Sequence, residues 1–219
     1  MRLVVFDVDG TLVDSQADIV ASMALAFDAV GLSAPSRTDI LGIVGLSLPQ
    51  AMAVLAPDAD HAIMVEAYKD GYASLRRQNG AASSPLYPGA RAALDALAAR
   101  DDLVLGLATG KSKRGLDGLI EVHGLQGMFV TRQVADFHPS KPHPAMLQAA
   151  MDDAGVEPGH AVMVGDTSFD MDMAVAAGVF PIGVSWGYHT VARLSAARVV
   201  IDDFNALHGA LDEAWGQAQ

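Results

Sequence analysis

Residues 3–11, Leu3-Val4-Val5-Phe6-Asp7-Val8-Asp9-Gly10-Thr11, decide how the chain is read. A run that is apolar at successive positions predicts a strand, over Leu3–Val8, buried on both faces of a parallel sheet. Ligands of parallel α/β sheets bind beyond the carboxyl ends of strands, and Asp7 falls at such an end. Asp9, two residues on, can face the same cleft while the chain is still nearly extended, and Gly10 lets the backbone turn. The pentapeptide Asp7–Thr11 also reads as a strand followed by an Asx-type turn, and alone it does not separate the two.

Similar runs recur outward from this stretch, at Leu103–Ala108, Ala161–Val164, Pro181–Val184 and Arg198–Ile201. Alanine-rich segments with helical spacing lie between them, at Ala90–Ala99, Ala145–Ala154 and Met171–Ala177, the first opened by Pro88-Gly89. Alternation of this kind predicts an α/β fold with a doubly wound parallel sheet. The alternation stops between Ser15 and Ser84. Ile19, Val20, Met23, Ala24, Phe27 and Val30 form one helical stripe, and Met64, Ala67, Tyr68 and Tyr72 suggest another. A small α-helical domain over 15–84 is therefore expected as an insertion into an α/β core made of 1–14 and 85–219. The connections near Asp14 and Ser84 would form the hinge, the second within a cluster of turn residues, Asn79-Gly80 to Pro88-Gly89.

The 219 residues suffice for one core and a small accessory domain, and a hydrophobic share of 51% against 18% charged marks a folded globular chain. A net charge of -12 argues against nucleic-acid binding. It also means that a phosphorylated substrate must be met by a local cation. The absence of cysteine excludes disulfides, thiolate metal sites and cysteine nucleophiles. The N-terminal run is too short and acidic for a signal peptide, and no apolar stretch reaches the ~18 residues of a membrane span. A cytoplasmic protein without membrane or nucleic-acid partners, monomer or homodimer, is expected.

Three further places carry chemistry. Thr109-Gly110 follows one strand, Asp166 follows another with Asp170 four residues on, and Lys141 stands in Pro139-Ser140-Lys141-Pro142 ahead of a helix. Each has an ordinary explanation: an N-cap for the threonine, a dipole-complementing acid for Asp170, a solvated loop residue for the lysine. Their concurrence is less ordinary, since three strands end in an oxygen-bearing residue at one pole of the sheet.

With these residues in order, Asp7/Asp9 in D-x-D-G-T, Thr109, Lys141 and Asp166/Asp170 in G-D-x-x-x-D, the chain resembles the phosphatase branch of the haloacid dehalogenase superfamily. The resemblance spans nearly the whole chain, because the inserted helices match that family's helical cap. It implies that Asp7 attacks phosphorus and forms an aspartyl-phosphate, and that Asp9 protonates the leaving alkoxide and then activates water. It implies that Thr109 and the Gly110 amide hold phosphoryl oxygens and that Lys141 neutralises charge. Asp7, the carbonyl of Asp9 and Asp166 would bind Mg²⁺, with Asp170 in support. The dehalogenase branch lacks the second aspartate, so Asp9 favours a phosphatase. Electrostatics agree independently: two like charges 4 Å apart repel by about 4 kcal/mol at an effective dielectric of ~20, and a divalent cation plus one fixed lysine reverses that repulsion toward a phosphate.

Other patterns carry less. Gly106–Ser112 reads GLATGKS, but only three residues separate its glycines where a P-loop needs four, which leaves Lys111 as a candidate contact to the residues that meet the substrate. His138 and His143 lack the spacing of a zinc motif. Asp202-Asp203 reads as a helix start. Three functions stay open: a phosphomonoesterase on a small phosphorylated metabolite, a phosphomutase, and a non-catalytic binding protein. The stretch Gly42–Ser47 is apolar and glycine-rich where family mutases place a cation, which favours a substrate with one phosphate, though Arg37, Arg76 and Arg77 lie elsewhere in the cap. Val184-Ser185-Trp186-Gly187-Tyr188 resembles phosphoglycolate phosphatases of the family, while Thr109-Gly110-Lys111 departs from their Thr-Asn-Lys.

Overall fold

The structure, a computed structural model, describes residues 1–216. In chain order its elements are β1 (Arg2–Phe6), α1 (Gln16–Asp28), α2 (Arg37–Gly42), α3 (Leu48–Leu55), α4 (His61–Asn79), α5 (Ala90–Ala98), β2 (Leu103–Thr109), α6 (Lys113–Val122), β3 (Thr131–Val134), α7 (Ala145–Ala154), β4 (Ala161–Gly165), α8 (Ser168–Ala176), β5 (Phe180–Val184), β6 (Val199–Ile201) and α9 (Leu207–Gly216). The six strands form one sheet in the order β3-β2-β1-β4-β5-β6, and every pairing is parallel.

The run that opened the reading is the middle of this sheet. Alternate residues of β1 serve opposite faces, as the two-residue period requires. Val4 and Phe6 join a cluster with Leu94 of α5, Leu116 of α6 and Leu211 of α9. Leu3 and Val5 join another with Met146 and Leu147 of α7 and Met173 of α8. Both faces are thus covered, which is why the strands read as unbroken apolar runs. β1 ends at Phe6, two residues short of the expectation, because the chain turns early: Val13 and Leu12 both donate to the Val8 carbonyl at 3.0 and 2.9 Å. The sequence reading missed β3. Its residues Thr131-Arg132-Gln133-Val134 are mostly polar because it is an edge strand, paired only to β2. α8 starts three residues earlier than expected, at Ser168, where Thr167 and Asp170 form a capping box.

Between β1 and α5 lie four α-helices and no strand. They pack around Ile19, Met23, Phe27, Met52, Met64 and Tyr72. The stripe on α1 is rotated slightly from the expected one: Ser22 and Ala26 are buried, and Ala24 is exposed. The two connections to the sheet run side by side. Asp14 N–H donates to the Pro85 carbonyl at 2.8 Å and Tyr87 N–H to the Leu12 carbonyl at 2.9 Å. At the same place Ser83 and Ser84 hydroxyls donate to the buried carboxylate of Asp18 at the start of α1. Among the described residues, no helix is long and apolar enough to cross a membrane.

Candidate active site

Chain order makes β1 the switch point of the sheet, with β2 on one side and β4 on the other. Crevices form where successive crossovers part in this way. Asp7 stands there, its N–H donating to the Val164 carbonyl of β4 at 2.9 Å. The Lys141 ammonium, wholly buried, donates to Asp7 Oδ1 and to Asp170 Oδ1, each at 2.6 Å. Asp170 Oδ2 accepts from the N–H and hydroxyl of Thr167 at 3.0 and 2.6 Å. Asp170 therefore spends both oxygens on positioning Lys141 and capping α8. Asp166 accepts from the Thr11 hydroxyl at 3.0 Å and from Tyr188 N–H at 2.7 Å. Gly10 turns with a φ of 93° directly over Asp166, and a Cβ there would lie 2.2 Å from its Oδ2. Only glycine fits that contact and that backbone.

Asp7 Oδ2 is buried and has no hydrogen-bond partner. Oxygens of Asp7, Asp166 and Asp170 lie within 4.8 Å of one another. Buried polar atoms are almost always satisfied, so an orphan in a cluster of hard oxygen donors suits a cation. Charge agrees: against the three carboxylates of Asp7, Asp166 and Asp170 stands one ammonium, Lys141, leaving the deficit that one divalent cation fills. Without it, burial lifts the Asp7 carboxyl to about 7, with Lys141 opposing and Asp170 and Asp9 adding to the rise. Asp166 is raised for the same first reason, burial, and then by Asp7 and Asp170. Burial works against the Lys141 charge, but Asp170 and Asp7 outweigh it and hold the ammonium well above the ordinary lysine range.

Asp9 is held apart from this cluster. Lys111 Nζ reaches both its oxygens, at 2.9 and 2.8 Å, and the Ser15 hydroxyl donates to Oδ1 at 2.5 Å. Ser15 gives its proton to Asp9, so the Tyr188 hydroxyl, 3.0 Å away, must donate to Ser15 Oγ, while it accepts from Ser15 N–H at 3.1 Å. Every donor in this chain points toward Asp9. Lys111, expected to reach the site only through another residue, does so by pairing with Asp9, with its ammonium 4.3 Å from the Tyr72 ring centroid. Ser15 occupies the N-cap of α1 yet caps nothing with its side chain. Ser15 and Tyr188 were missed because their partners lie far away in sequence or across the hinge. A hydroxyl residue at the hinge and a lysine two past a strand-end threonine were the available signals.

Thr109 ends β2, buried, and its Oγ1 accepts from Lys111 N–H at 3.2 Å. Gly110 carries the helical domain on its back: a Cβ there would meet the carbonyl oxygens of Leu46 and Gly45 at 2.5 and 2.6 Å. The loop 42–47 is thus pressed onto the turn that follows β2. Two other bonds fasten it, Ser47 N–H to Ser140 Oγ at 2.8 Å and His189 Nε2 to the Gly42 carbonyl at 3.1 Å. His189 Nδ1 accepts from Ser168 N–H at 3.0 Å, which fixes the proton on Nε2. Between the carboxyl pole of the sheet and the helices inserted after β1 lies a pocket of about 70 Å³ that reaches Asp7, Asp9, Thr109 and Gly110. Its helical wall is mainly apolar, with Ile43, Val44, Leu46 and Tyr68, and carries Lys69 and Arg76 as well, while Arg114 of α6 lines it from the other side. His138 and His143 lie outside it. His138 donates to Gln133 Oε1 at 2.7 Å, and His143 Nδ1 accepts from Ala145 N–H at the start of α7. Asp202 takes the Ser185 hydroxyl and Asp203 caps a short helical turn.

A parallel sheet with acids and a buried lysine at its carboxyl pole, covered by inserted helices, defines an α/β protein with an enclosed acidic site. The comparisons with known proteins narrow this. The family of haloacid dehalogenase-like hydrolases matches residues 4–184. "Probable phosphatase IndB" of Dickeya dadantii is 35% identical over 215 residues, covering 95% of this chain and 92% of that protein. A phosphoglycolate phosphatase of Agrobacterium fabrum is 33% identical, covering 96% and 92%. Among solved structures, a hydrolase from Pseudomonas syringae superposes with a TM-score of 0.85 at 24% identity, covering 97% of this chain and 99% of that one. A β-phosphoglucomutase from Clostridium difficile gives 0.85 at 19%, covering 99% and 98%, a likeness of fold alone. The chain belongs to the haloacid dehalogenase-like hydrolase family, and within it is a phosphatase.

Proposed function

We propose that this chain is a Mg²⁺-dependent phosphomonoesterase acting on a small phosphorylated metabolite, 2-phosphoglycolate among them, with residues 15–84 as its cap. The observation that carries the reading is Asp7, which lines the pocket, is held through Oδ1 by Lys141 and has a buried, unpartnered Oδ2. In the first step a carboxylate oxygen of Asp7 forms a bond to phosphorus as the ester P–O bond breaks, and Asp9 gives its proton to the departing alkoxide. In the second, Asp9 takes a proton from water as that water attacks the phosphoaspartyl group, which frees inorganic phosphate and Asp7. Thr109 and the Gly110 amide hold phosphoryl oxygens, and Lys141 balances their charge. Asp7, the Asp9 carbonyl and Asp166 would hold Mg²⁺, with Asp170 acting mainly through Lys141; the ion supplies charge neutralisation toward the phosphate. The agreement of whole-length relatives named phosphoglycolate phosphatase supports that substrate.

A phosphoester panel assayed for phosphate release with Mg²⁺ and with EDTA tests the reading. Hydrolysis is expected with the metal and none without it. Asp7→Asn should lower kcat by about 10⁴-fold or more, as loss of a nucleophile does. Full activity in EDTA, or an Asp7→Asn enzyme of normal kcat, would overturn it. A mutase would move the phosphoryl group between substrate hydroxyls without releasing phosphate.

A further inference from the structure

The cap wall of the pocket holds a cation that the mechanism above leaves unused. Lys69, Tyr72, Ala73 and Arg76 of α4 all line the pocket, and their spacing of three and four puts them on one helical stripe. Arg76 reaches across to the core. Its Nη1 donates to the Gly115 carbonyl at 3.1 Å, and its guanidinium lies so close to α6 that a Cβ on Gly118 would stand 2.3 Å from Cζ. The stem of Lys111 crosses the same glycine, Cγ falling 2.8 Å from a Cβ built on Gly115. The Lys111 ammonium meets Asp9 on one side and the ring of Tyr72, one turn before Arg76, on the other. Arg76 is thereby tied to the wall of the pocket where the leaving group of an ester must lie.

Its charge is not balanced there. Among the described residues no carboxylate lies within ion-pair distance of Arg76, although the chain carries a net charge of -12. Other arginines have acidic partners, as Arg91 has Asp95 and Arg100 has Asp102. Lys69 and Arg114, on the same pocket, are loosely engaged with Glu66 and Asp70 at 3.5 Å. A half-buried guanidinium with spare N–H donors and no counter-ion is poised for a planar anion. Ile43, Val44 and Leu46, on the same wall, have no side-chain partner for sugar hydroxyls.

We propose that Arg76 receives a second anionic group of the substrate, so that preferred substrates are phosphomonoesters with a short, hydroxyl-poor body ending in a carboxylate or a second phosphate. This rests on the phosphatase reading and deepens it. The sequence named Arg76, with Arg37 and Arg77, as a cation away from the stretch 42–47; the structure brings it to the pocket from α4.

The test compares esters of equal carbon length with Mg²⁺: ethyl phosphate, 2-phosphoglycolate and ethylene glycol bisphosphate. For the wild-type enzyme kcat/KM should favour the esters with two anionic groups. In Arg76→Met that preference should fall at least tenfold, mostly through KM, and Arg76→Lys should restore part of it. Whether the carboxylate or the bisphosphate loses more identifies the anion. If Arg76→Met lowers all three in the same proportion, Arg76 only docks the cap and the proposal fails. Binding of the same esters to Asp7→Asn and to Asp7→Asn/Arg76→Met, measured by calorimetry, gives a readout independent of turnover. Equal affinity for one-anion and two-anion esters in Asp7→Asn would overturn the second-anion site even in a working phosphatase. A wild-type enzyme that bound two-anion esters preferentially but hydrolysed none would overturn only the catalytic reading.

Discussion

The two walls of the pocket are built on opposite plans. On the core wall each acid is tied down by partners from several elements. Lys141 spans Asp7 and Asp170, Thr11 and Tyr188 fix Asp166, and Ser15 and Lys111 fix Asp9. On the cap wall the surface is mainly apolar, and a few bonds hold the loop 42–47 to the core. The contrast follows from the tasks. Charge stabilisation works only if the groups are placed before the reaction begins, since reorganising them at that moment costs free energy. On the proposed reading the helices are a lid, and a lid that opens for each turnover needs contacts few enough to break.

The largest break in this comparison comes from Lys141. It is one of two cations among four acids, and it sits fully buried. Lys141→Met leaves Asp7 and Asp170 facing each other uncompensated. Removing one partner of a buried ion pair costs about 3–5 kcal/mol, and losing the positive charge beside the phosphate should lower kcat by about 10²–10³-fold. Thermal denaturation without metal should show the destabilisation, and added Mg²⁺ should recover much of it, because a second cation then serves the same acids. A Lys141→Met protein with wild-type melting in EDTA would mean that these acids are not ionised in the folded state.

A smaller effect belongs to the seam. Gly110 is on the core, yet the atoms that a side chain would strike, the Gly45 and Leu46 carbonyl oxygens, are on the cap. Gly110→Ala should therefore leave the core stable and hold the cap away from it. The expected result is a rise in KM and a fall in kcat of about tenfold or more, as misplacement near 1 Å brings, with melting changed little. Scattering on the variant with a phosphate analogue should show less compaction than on the wild type. Equal kinetics in the two would mean that the cap can shift by that distance without harm.

The same contrast explains what could be read from residues alone. Asp7, Thr109 and Asp166 each follow an apolar run, so strand recognition places them at one pole, and Lys141 joins them by order along the chain. β3 stayed hidden because an edge strand of polar residues has no apolar signature. The Lys111–Asp9 pair joins the turns after two different strands, and Ser15 beneath Tyr188 and Arg76 over Gly115 depend on how the inserted helices meet the sheet; no local periodicity encodes either. Residues at strand ends were legible because the sheet positions them. The side chains that hold them, and the placement of Arg76, were not, because their partners come from distant segments.

The smallest expected effect is at His189, where the two walls are joined by a group that can titrate. Its Nδ1 accepts from Ser168 N–H, so protonation there would break that bond while Nε2–H still faces the Gly42 carbonyl. Burial holds the imidazole below its ordinary pKa, Arg193 adding to the shift and the Gly42 carbonyl and Asp170 opposing it. Phe169 packs against the ring edge-on, 5.4 Å between centroids. The sign follows. With the closed-state pKa lowered, the fastening is complete above the ordinary histidine range. As pH falls through that range the open state takes up the proton first, and closure weakens until pH passes the lowered value. One hydrogen bond is worth about 0.5–1.5 kcal/mol, so KM should rise about two- to tenfold across the transition. His189→Gln can still donate to Gly42 and cannot titrate. The ratio of wild-type to His189→Gln KM should therefore climb as pH is lowered from 8 to 5 (roughly the histidine window), while acids common to both enzymes cancel from it. A ratio flat across that window would show that the cap is fastened independently of this proton.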